Sequence, residues 1–264
     1  MQRNLAAITG ASSGIGMVFA RRLAAGHDLL LIARRKDRLE ALAAELRAQN
    51  GAAVDVLAAD LSEEKDLSVV AGRIASEPSL TLLVNNAGFG TRGMFWATDL
   101  ATQEKMHRLH VTATLCLTHC ALRNMMERNA GAIINVASVA AFVRRSGSVS
   151  YGATKSWMTA FTEGLYLELK SAGSSVRVQA LCPGYTYSEF HPTMHVDRAT
   201  VAPPWLWLRA EDVVDESLKA LDGGKLFVVP GWPYKAVVSL VSRLPTSLRL
   251  AIESAGSNGR RRSS

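Results

Sequence analysis

The chain has 264 residues, of which 48% are hydrophobic and 20% charged, with a net charge of +7. That balance supplies apolar surface for one large core and excludes a disordered chain, while the spread of the charge does not single out nucleic acid as a partner. Three scattered cysteines (Cys116, Cys120 and Cys182) argue against a disulfide framework and fit a reducing, cytoplasmic setting, and no apolar run reaches the length of a bilayer span.

Along the chain, short apolar runs alternate with helical patterns. The run Leu5–Thr9 reads as a buried strand leading straight into a glycine-rich turn rather than as a signal peptide. The turn is Thr9-Gly10-Ala11-Ser12-Ser13-Gly14-Ile15-Gly16, and a helix over 15–25 follows. Strand, glycine turn and helix N-terminus together make a phosphate cradle, because glycines let the backbone approach and the helix end offers unpaired N–H groups. Taken alone, the segment is equally a flexible Gly/Ser turn. A second strand, Asp28–Ala33, ends at Arg34-Arg35, and Arg34 lies twenty residues after Gly14. An arginine there accommodates a ribose 2′-phosphate that a carboxylate would repel, so NADP(H) is expected over NAD(H); the alternative is a solvated basic loop. Asp37, with Glu40 three residues on, is expected to cap a helix over 38–49.

Further on, Ala53–Ala58 is a third strand, closed by Asp60-Leu61, and a helix over 63–76 follows. Leu80–Val84 ends in Asn85-Asn86-Ala87-Gly88, where paired amides can brace a neighbouring strand, touch a ligand or simply turn the chain. A long helix over 100–128 precedes the strand Ala132–Ala137, which is followed by Ser138. Cys116 and Cys120, four apart on that helix, lack further ligands nearby and are expected to be buried small hydrophobes; no metal site is expected. Thirteen residues after Ser138, Tyr151 and Lys155 stand four apart at the start of a helix over 152–172, on one face. An ammonium beside a phenol favours the phenolate and makes the hydroxyl a usable proton donor and acceptor.

The remaining elements are strands Val176–Leu181 and Leu226–Val229, a helix over 211–221, and Pro183-Gly184 after the sixth strand. Strands that are nearly all apolar, alternating with helices, imply a parallel sheet covered on both faces.

These motifs, in this order, resemble the classical short-chain dehydrogenase/reductase family. The resemblance runs from about Leu5 to Val229 and rests on the glycine motif, Asp60-Leu61, Asn85 to Gly88, Ser138, Tyr151/Lys155 and Pro183-Gly184. It implies one Rossmann-like, doubly wound domain of about seven parallel strands over residues 1–255, and hydride transfer between a nicotinamide cofactor and an alcohol or carbonyl. The cofactor would lie against Gly10, Ser12, Ser13, Gly14, Ile15, Gly16, Arg34, Arg35 and Asn86-Ala87-Gly88. By the same resemblance Asp60 contacts the adenine amino group and Leu61 backs the ring. Pro183-Gly184 turns against the nicotinamide, and Thr186 or Ser188 reaches its carboxamide. Tyr151 would protonate the substrate oxygen and Ser138 polarise it, while Lys155 would lower the Tyr151 pKa and bind the ribose. At the place of the family's catalytic asparagine stands His110, expected either to serve a proton relay or to be a packed helix residue.

Four further expectations complete the reading. The loop between Tyr185 and Leu208, with Phe190, Met194, Trp205 and Trp207, would wall an apolar pocket or pack on the core. The extension over 233–252, with Val237, Leu240, Val241, Leu244, Leu248 and Ile252 on a stripe, would pack on its own fold or on a second subunit, with weak peripheral membrane contact as the alternative; residues 256–264 form a disordered basic tail. By the same resemblance a homo-oligomer, dimer or tetramer, is expected through the helices at 100–128 and 152–172. The competing function is an NADP(H)-binding regulatory sensor with little turnover.

Overall fold

The computed structural model describes residues 3–188, 202–251 and 253. Seven strands form one parallel sheet in the order β3-β2-β1-β4-β5-β6-β7: β1 (Asn4–Thr9), β2 (His27–Ala33), β3 (Val54–Ala58), β4 (Leu80–Asn85), β5 (Ala132–Val136), β6 (Arg177–Leu181) and β7 (Phe227–Val228). Helices α1 (Gly14–Leu23), α2 (Lys36–Asn50), α3 (Glu64–Ala75), α4 (Leu100–His107), α5 (Ala113–Glu127), α6 (Val149–Ser171), α7 (Ala210–Asp222) and α8 (Trp232–Val241) connect or follow them. The strand order reverses between β1 and β4, where Ile8 pairs with Leu31 on one side and Val84 on the other. That reversal opens a crevice at the carboxyl ends of the strands, where ligands of such sheets sit.

Strand alternation divides the core in two. Ala6 and Ile8 of β1 face a cluster with Phe19, Leu31, Leu39, Val84 and Val213, under α1, α2 and α7. Leu5 and Ala7 face Leu30, Ile74, Leu83, Leu117 and Ile133, under α3, α5 and α6. Because both faces are covered, the strands are apolar on both faces for most of their length, with buried polar exceptions such as Asn85, Asn135 and Gln179. Each large side chain buried this way contributes roughly 1.5–3 kcal/mol.

Three local expectations are corrected: the cap of α2, the unbroken helix at 100–128 and the full burial of Cys116 and Cys120. Helix α2 begins at Lys36 with Arg35 as N-cap and no side-chain cap, so Asp37 sits inside the first turn and only its charge favours the helix N-terminus. The expected helix at 100–128 is divided at Arg108–Thr112 by a π turn, whose widened ring is closed by the Ala113 N–H donating to the Arg108 carbonyl. The C-terminal stripe is largely exposed, with Val237 at 46% and Leu240 at 61%. What seats α8 on the fold is instead Tyr234, its one buried residue. Cys116 and Cys120 are only partly buried, although both pack against the second cluster.

Candidate active site

At the carboxyl ends of the strands lies a cavity of about 600 Å³, bounded by Arg34 and Asp60 at one end and Tyr234 at the other. Every residue named above as a candidate for cofactor contact, except Gly16, lines it. Gly16 lies directly behind: a Cβ there would come 2.4 Å from the Gly10 carbonyl oxygen and 2.5 Å from the Asn86 amide nitrogen. Gly10 and Gly14 hold φ of +67° and +55°, and a Cβ at Gly10 would meet Asn86 at 2.8 Å. Only glycine adopts these conformations cheaply while leaving space for a ligand against the backbone. The Asn86 amide donates to the Thr9 and Gly10 carbonyls at 2.9 and 3.3 Å, so it braces the turn rather than facing the cavity with its donors. Asn85 is buried in a lattice of amides and hydroxyls with Thr118, Asn135 and Thr162, tying β4 to β5 and α6.

Helix α1 opens at this turn with Ser13 as N-cap, no side-chain cap and no acid in its first turn. Uncapped N–H groups and the positive end of the helix favour a phosphate here. The Arg35 guanidinium folds back onto the turn, donating to Ser12 Oγ at 3.0 Å and Ser13 Oγ at 2.9 Å. Arg34 remains 66% exposed and lies 3.9 Å from Asp60. Burial raises the Asp60 carboxyl, but the Ser62 hydroxyl and Lys105 outweigh it and hold the group below its usual range. The Lys105 ammonium approaches Asp60 to 3.0 Å, a partner no sequence signal announces. The residues therefore fit a dinucleotide: a glycine cradle a Cβ would fill, an uncapped helix end and two arginines beyond β2.

The second half of the cavity holds Ser138, Tyr151 and Lys155. Ser138 follows β5 and caps a 3-10 turn, its Oγ accepting from the Ala140 N–H at 3.1 Å and donating to the Pro183 carbonyl at 3.4 Å. Tyr151 hydrogen-bonds Ser138, yet burial dominates and pushes its phenol up to about 12. Burial likewise brings Lys155 down to about 7. Its ammonium donates to the Val136 carbonyl at 2.8 Å and lies 5.9 Å from the Tyr151 ring centre. In the protein alone the lysine is turned to a carbonyl, and burial sets the direction of the Tyr151 shift, opposed by the Ser138 hydrogen bond.

His110 sits in the π turn and is completely buried. Its Nε2 accepts from the Phe89 N–H at 3.2 Å, which places the ring proton on Nδ1. Nδ1 then donates to Thr154 Oγ1 at 2.9 Å, and that hydroxyl donates to the Tyr151 carbonyl at 2.9 Å. The imidazole edge packs on the Tyr151 ring with centres 5.9 Å apart. Burial, with help from Lys155 and His107, holds His110 well below its ordinary value of 6.5, so it is neutral. Gly88 makes room for it: a Cβ there would lie 2.7 Å from Nε2. Between the two earlier readings of His110, these bonds favour the packed residue, a rivet joining the Gly88-Phe89 loop to the helix that carries Tyr151.

Thr186 forms a bridge with Leu208 and donates from Oγ1 to the Gly184 carbonyl, so it lines the cavity with its hydroxyl already engaged. Ser188 covers Gly14, where a Cβ would lie 2.9 Å from the serine Cβ. Phe190 and Met194 lie outside the described residues, as do Ile252 and the tail. The tryptophans do not wall the cavity: Trp207 is buried between Tyr185 and Tyr187 and donates to the Ala202 carbonyl, while Trp205 is 66% exposed. Leu206 takes that place, together with Pro233, Tyr234, Val237 and Val238 of α8. Tyr234 lies flat on Gly184, where a Cβ would come within 2.1 Å of its ring. Its hydroxyl accepts from the Tyr185 N–H and donates to the Leu206 carbonyl. Only the proline start of α8 hinted at this role.

Comparison with known proteins agrees with this geometry. Residues 4–198 match the short chain dehydrogenase family model. A short-chain dehydrogenase from Sphingobium yanoikuyae, solved in complex with NADPH, is 34% identical, with 92% of this chain and 97% of that one aligned at a TM-score of 0.82. The bulky-bulky ketone specific alcohol dehydrogenase from Comamonas testosteroni is 31% identical, with 93% and 96% aligned at a TM-score of 0.78. Among curated relatives, sulfoacetaldehyde reductase 2 of Chromohalobacter salexigens is 37% identical over 69% of this chain and 73% of its own. The very-long-chain 3-oxoacyl-CoA reductase of Anas platyrhynchos is 33% identical over 68% of this chain, a match that spans 59% of its own length. A short chain dehydrogenase of Pseudocercospora fijiensis is matched over 62% of its length. With the seven-stranded parallel sheet and the Ser138, Tyr151 and Lys155 cluster, these matches establish that the chain belongs to the short-chain dehydrogenase/reductase family of oxidoreductases.

Proposed function

We propose that the protein is an NADP(H)-dependent oxidoreductase that interconverts a carbonyl and an alcohol on a predominantly hydrophobic small molecule. The observation that carries this reading is the buried Tyr151 hydroxyl, hydrogen-bonded to Ser138, at the inner end of a cavity whose other half is a phosphate cradle. When bound, NADP(H) supplies or accepts the hydride.

This chain's own residues do the rest. Tyr151 is held protonated by burial, so it presents a neutral phenol ready to give its proton to a developing alkoxide. Ser138 supplies a second hydroxyl to the same oxygen, and fixed donors of this kind stabilise charge as it develops. Lys155, with a pKa near 7, exchanges protons with water at neutral pH and is suited to restore the proton Tyr151 gives up. His110 holds the ring of Tyr151 in place without changing charge. Leu206, Val237 and Val238 give the substrate end an apolar wall, which supports a hydrophobic substrate. The preference for NADP(H) is supported by Arg34 and Arg35 beyond β2, with Asp60, the acid nearby, already held by Lys105.

The test is NADPH oxidation by purified protein against aliphatic, aromatic and steroid-sized ketones and aldehydes, with NADH and the Tyr151→Phe variant in parallel. Turnover that prefers NADPH and needs Tyr151 supports the reading. Tight NADPH binding with no turnover of any carbonyl would favour a sensor.

A further inference from the structure

Two arginines stand at the substrate end of the cavity and have no counterpart in the cofactor's requirements. Arg92 follows β4 and Arg145 follows β5, and both line the cavity. Their loops touch: the Gly93 N–H donates to the Gly147 carbonyl at 3.1 Å, and the Ser146 hydroxyl lies 3.6 Å from the Met94 sulfur. Arg145 donates from Nη1 to the Tyr185 hydroxyl at 2.5 Å, and its guanidinium carbon lies 5.8 Å from the centre of that ring. This fixes the side chain over the substrate end, and among the described residues four of its five donors are uncommitted. Among the described residues neither arginine forms an ion pair, and the one acid lining the cavity, Asp60, is at the opposite end and bound to Lys105. Beside the arginines the lining is apolar: Val143, Leu206, Val237 and Val238.

An apolar passage ending in two uncompensated guanidiniums discriminates by charge. We propose that the carbonyl substrate carries an anionic group, of the carboxylate class, at the end of an apolar chain, and that Arg92 and Arg145 bind it while the carbonyl reaches Tyr151. Planar guanidiniums match a carboxylate in bidentate fashion, and because Arg92 and Arg145 are both exposed, the pairing is that of partly screened charges. This deepens the carbonyl-reductase reading and rests on it only for the identity of the group that reaches Tyr151.

The experiment measures binding and turnover separately. Oxo fatty acids of graded chain length and their methyl esters are titrated calorimetrically into NADP⁺-saturated protein, and the same compounds are assayed for NADPH oxidation. The acid of best-fitting length is expected to bind roughly 1.5- to 5-fold more tightly than its ester, the range for an exposed charged pair. That ratio is expected to collapse toward one in Arg145→Gln and to shrink in Arg92→Gln. It is also expected to fall at high salt. Equal affinity for acid and ester at every chain length, or a ratio that survives in both variants, overturns the proposal. If esters are reduced but acids gain nothing, the anion site falls and the reductase stands. If acids bind preferentially through the arginines but neither compound is ever reduced, the anion site stands and the reductase falls.

Discussion

Replacing His110 by alanine tests the claim that this residue is a rivet and not a relay. The change removes the acceptor of the Phe89 N–H and the donor to Thr154 Oγ1. The threonine hydroxyl keeps the Tyr151 carbonyl as its own acceptor, so the main polar cost is the Phe89 N–H left without a partner, about 1–3 kcal/mol. The imidazole is fully buried, and emptying that volume adds about 2 kcal/mol or more. A total of about 3–5 kcal/mol corresponds to a fall in Tm of roughly 6–20 °C for a chain of this size, from about 2–4 °C per kcal/mol. His110→Asn, shorter but still polar, should retain one of the two bonds and lose roughly half as much. The assay is thermal unfolding monitored by fluorescence, paired with the pH profile of kcat for the native protein and both variants. If His110 relayed protons, the native profile would show an acid-side ionisation, separate from that of Lys155 near 7, that vanishes in His110→Asn. That outcome, or a stability loss below about 1 kcal/mol in His110→Ala, would refute the reasoning.

Tyr151→Phe should fold, bind NADPH and lose turnover by on the order of 10²–10⁴-fold, the usual worth of a positioned proton donor; stopped-flow fluorescence and steady-state rates read the two properties separately. Arg35→Gln should raise the KM for NADPH by about tenfold with little effect on NADH, since a charge-assisted phosphate contact is worth about 1.5–3 kcal/mol; equal effects on both cofactors would remove the arginine from phosphate recognition. For pH, the Lys155 pKa in the folded protein is lowered to about 7 from 10.5, so between those values the unfolded chain binds more protons. Its contribution therefore makes stability rise with pH across that window. Tyr151, raised to about 12 from 10.0, contributes a fall above pH 10. Urea denaturation of the cofactor-free protein should show the rise beginning near pH 7, and Lys155→Met should flatten it relative to the native protein. Gly184→Ala drives a methyl into the Tyr234 ring and should cost about 1–3 kcal/mol; combined with Tyr234→Ala it should cost little beyond Tyr234→Ala alone, a non-additivity that independent sites would not show.

Much of this was legible in the amino-acid order because the core strands are buried on both faces and so appear as predominantly apolar runs. The Leu29–Ile32 and Ile133–Ile134 stretches announce themselves this way, and the polar motifs that end the runs mark where the crevice lies. What escaped was geometry that leaves the residue types unchanged. One extra residue per turn at Arg108–Thr112 does not disturb a helical pattern, so nothing in the sequence shows that His110 is rotated inward beneath Tyr151. Asp37 carries the signature of a cap, but the helix is capped two residues earlier at Arg35, whose guanidinium reaches the serines of the glycine loop. The stripe of Val237 and Leu240 suggested which face of α8 is buried, yet the contact is made by Tyr234 through a residue with no side chain. A ring lying flat on a glycine is a fact of three dimensions that hydropathy does not encode.

The seating of Tyr234 on Gly184 also bears on how such a protein can be altered. The phosphate cradle is made from the first hundred residues, whereas part of the apolar wall at the other end comes from Leu206 and the first turns of α8. Part of that wall can therefore be rewritten by exchanging the chain after β7, with Leu206, Arg92 and Arg145, which precede it, and the dinucleotide cradle left intact. The exchanged segment has one obligation: an aromatic ring two residues into its helix, to fill the hollow above Gly184. A library that fixes position 234 and varies 237 and 238 explores new pockets on a constant hinge.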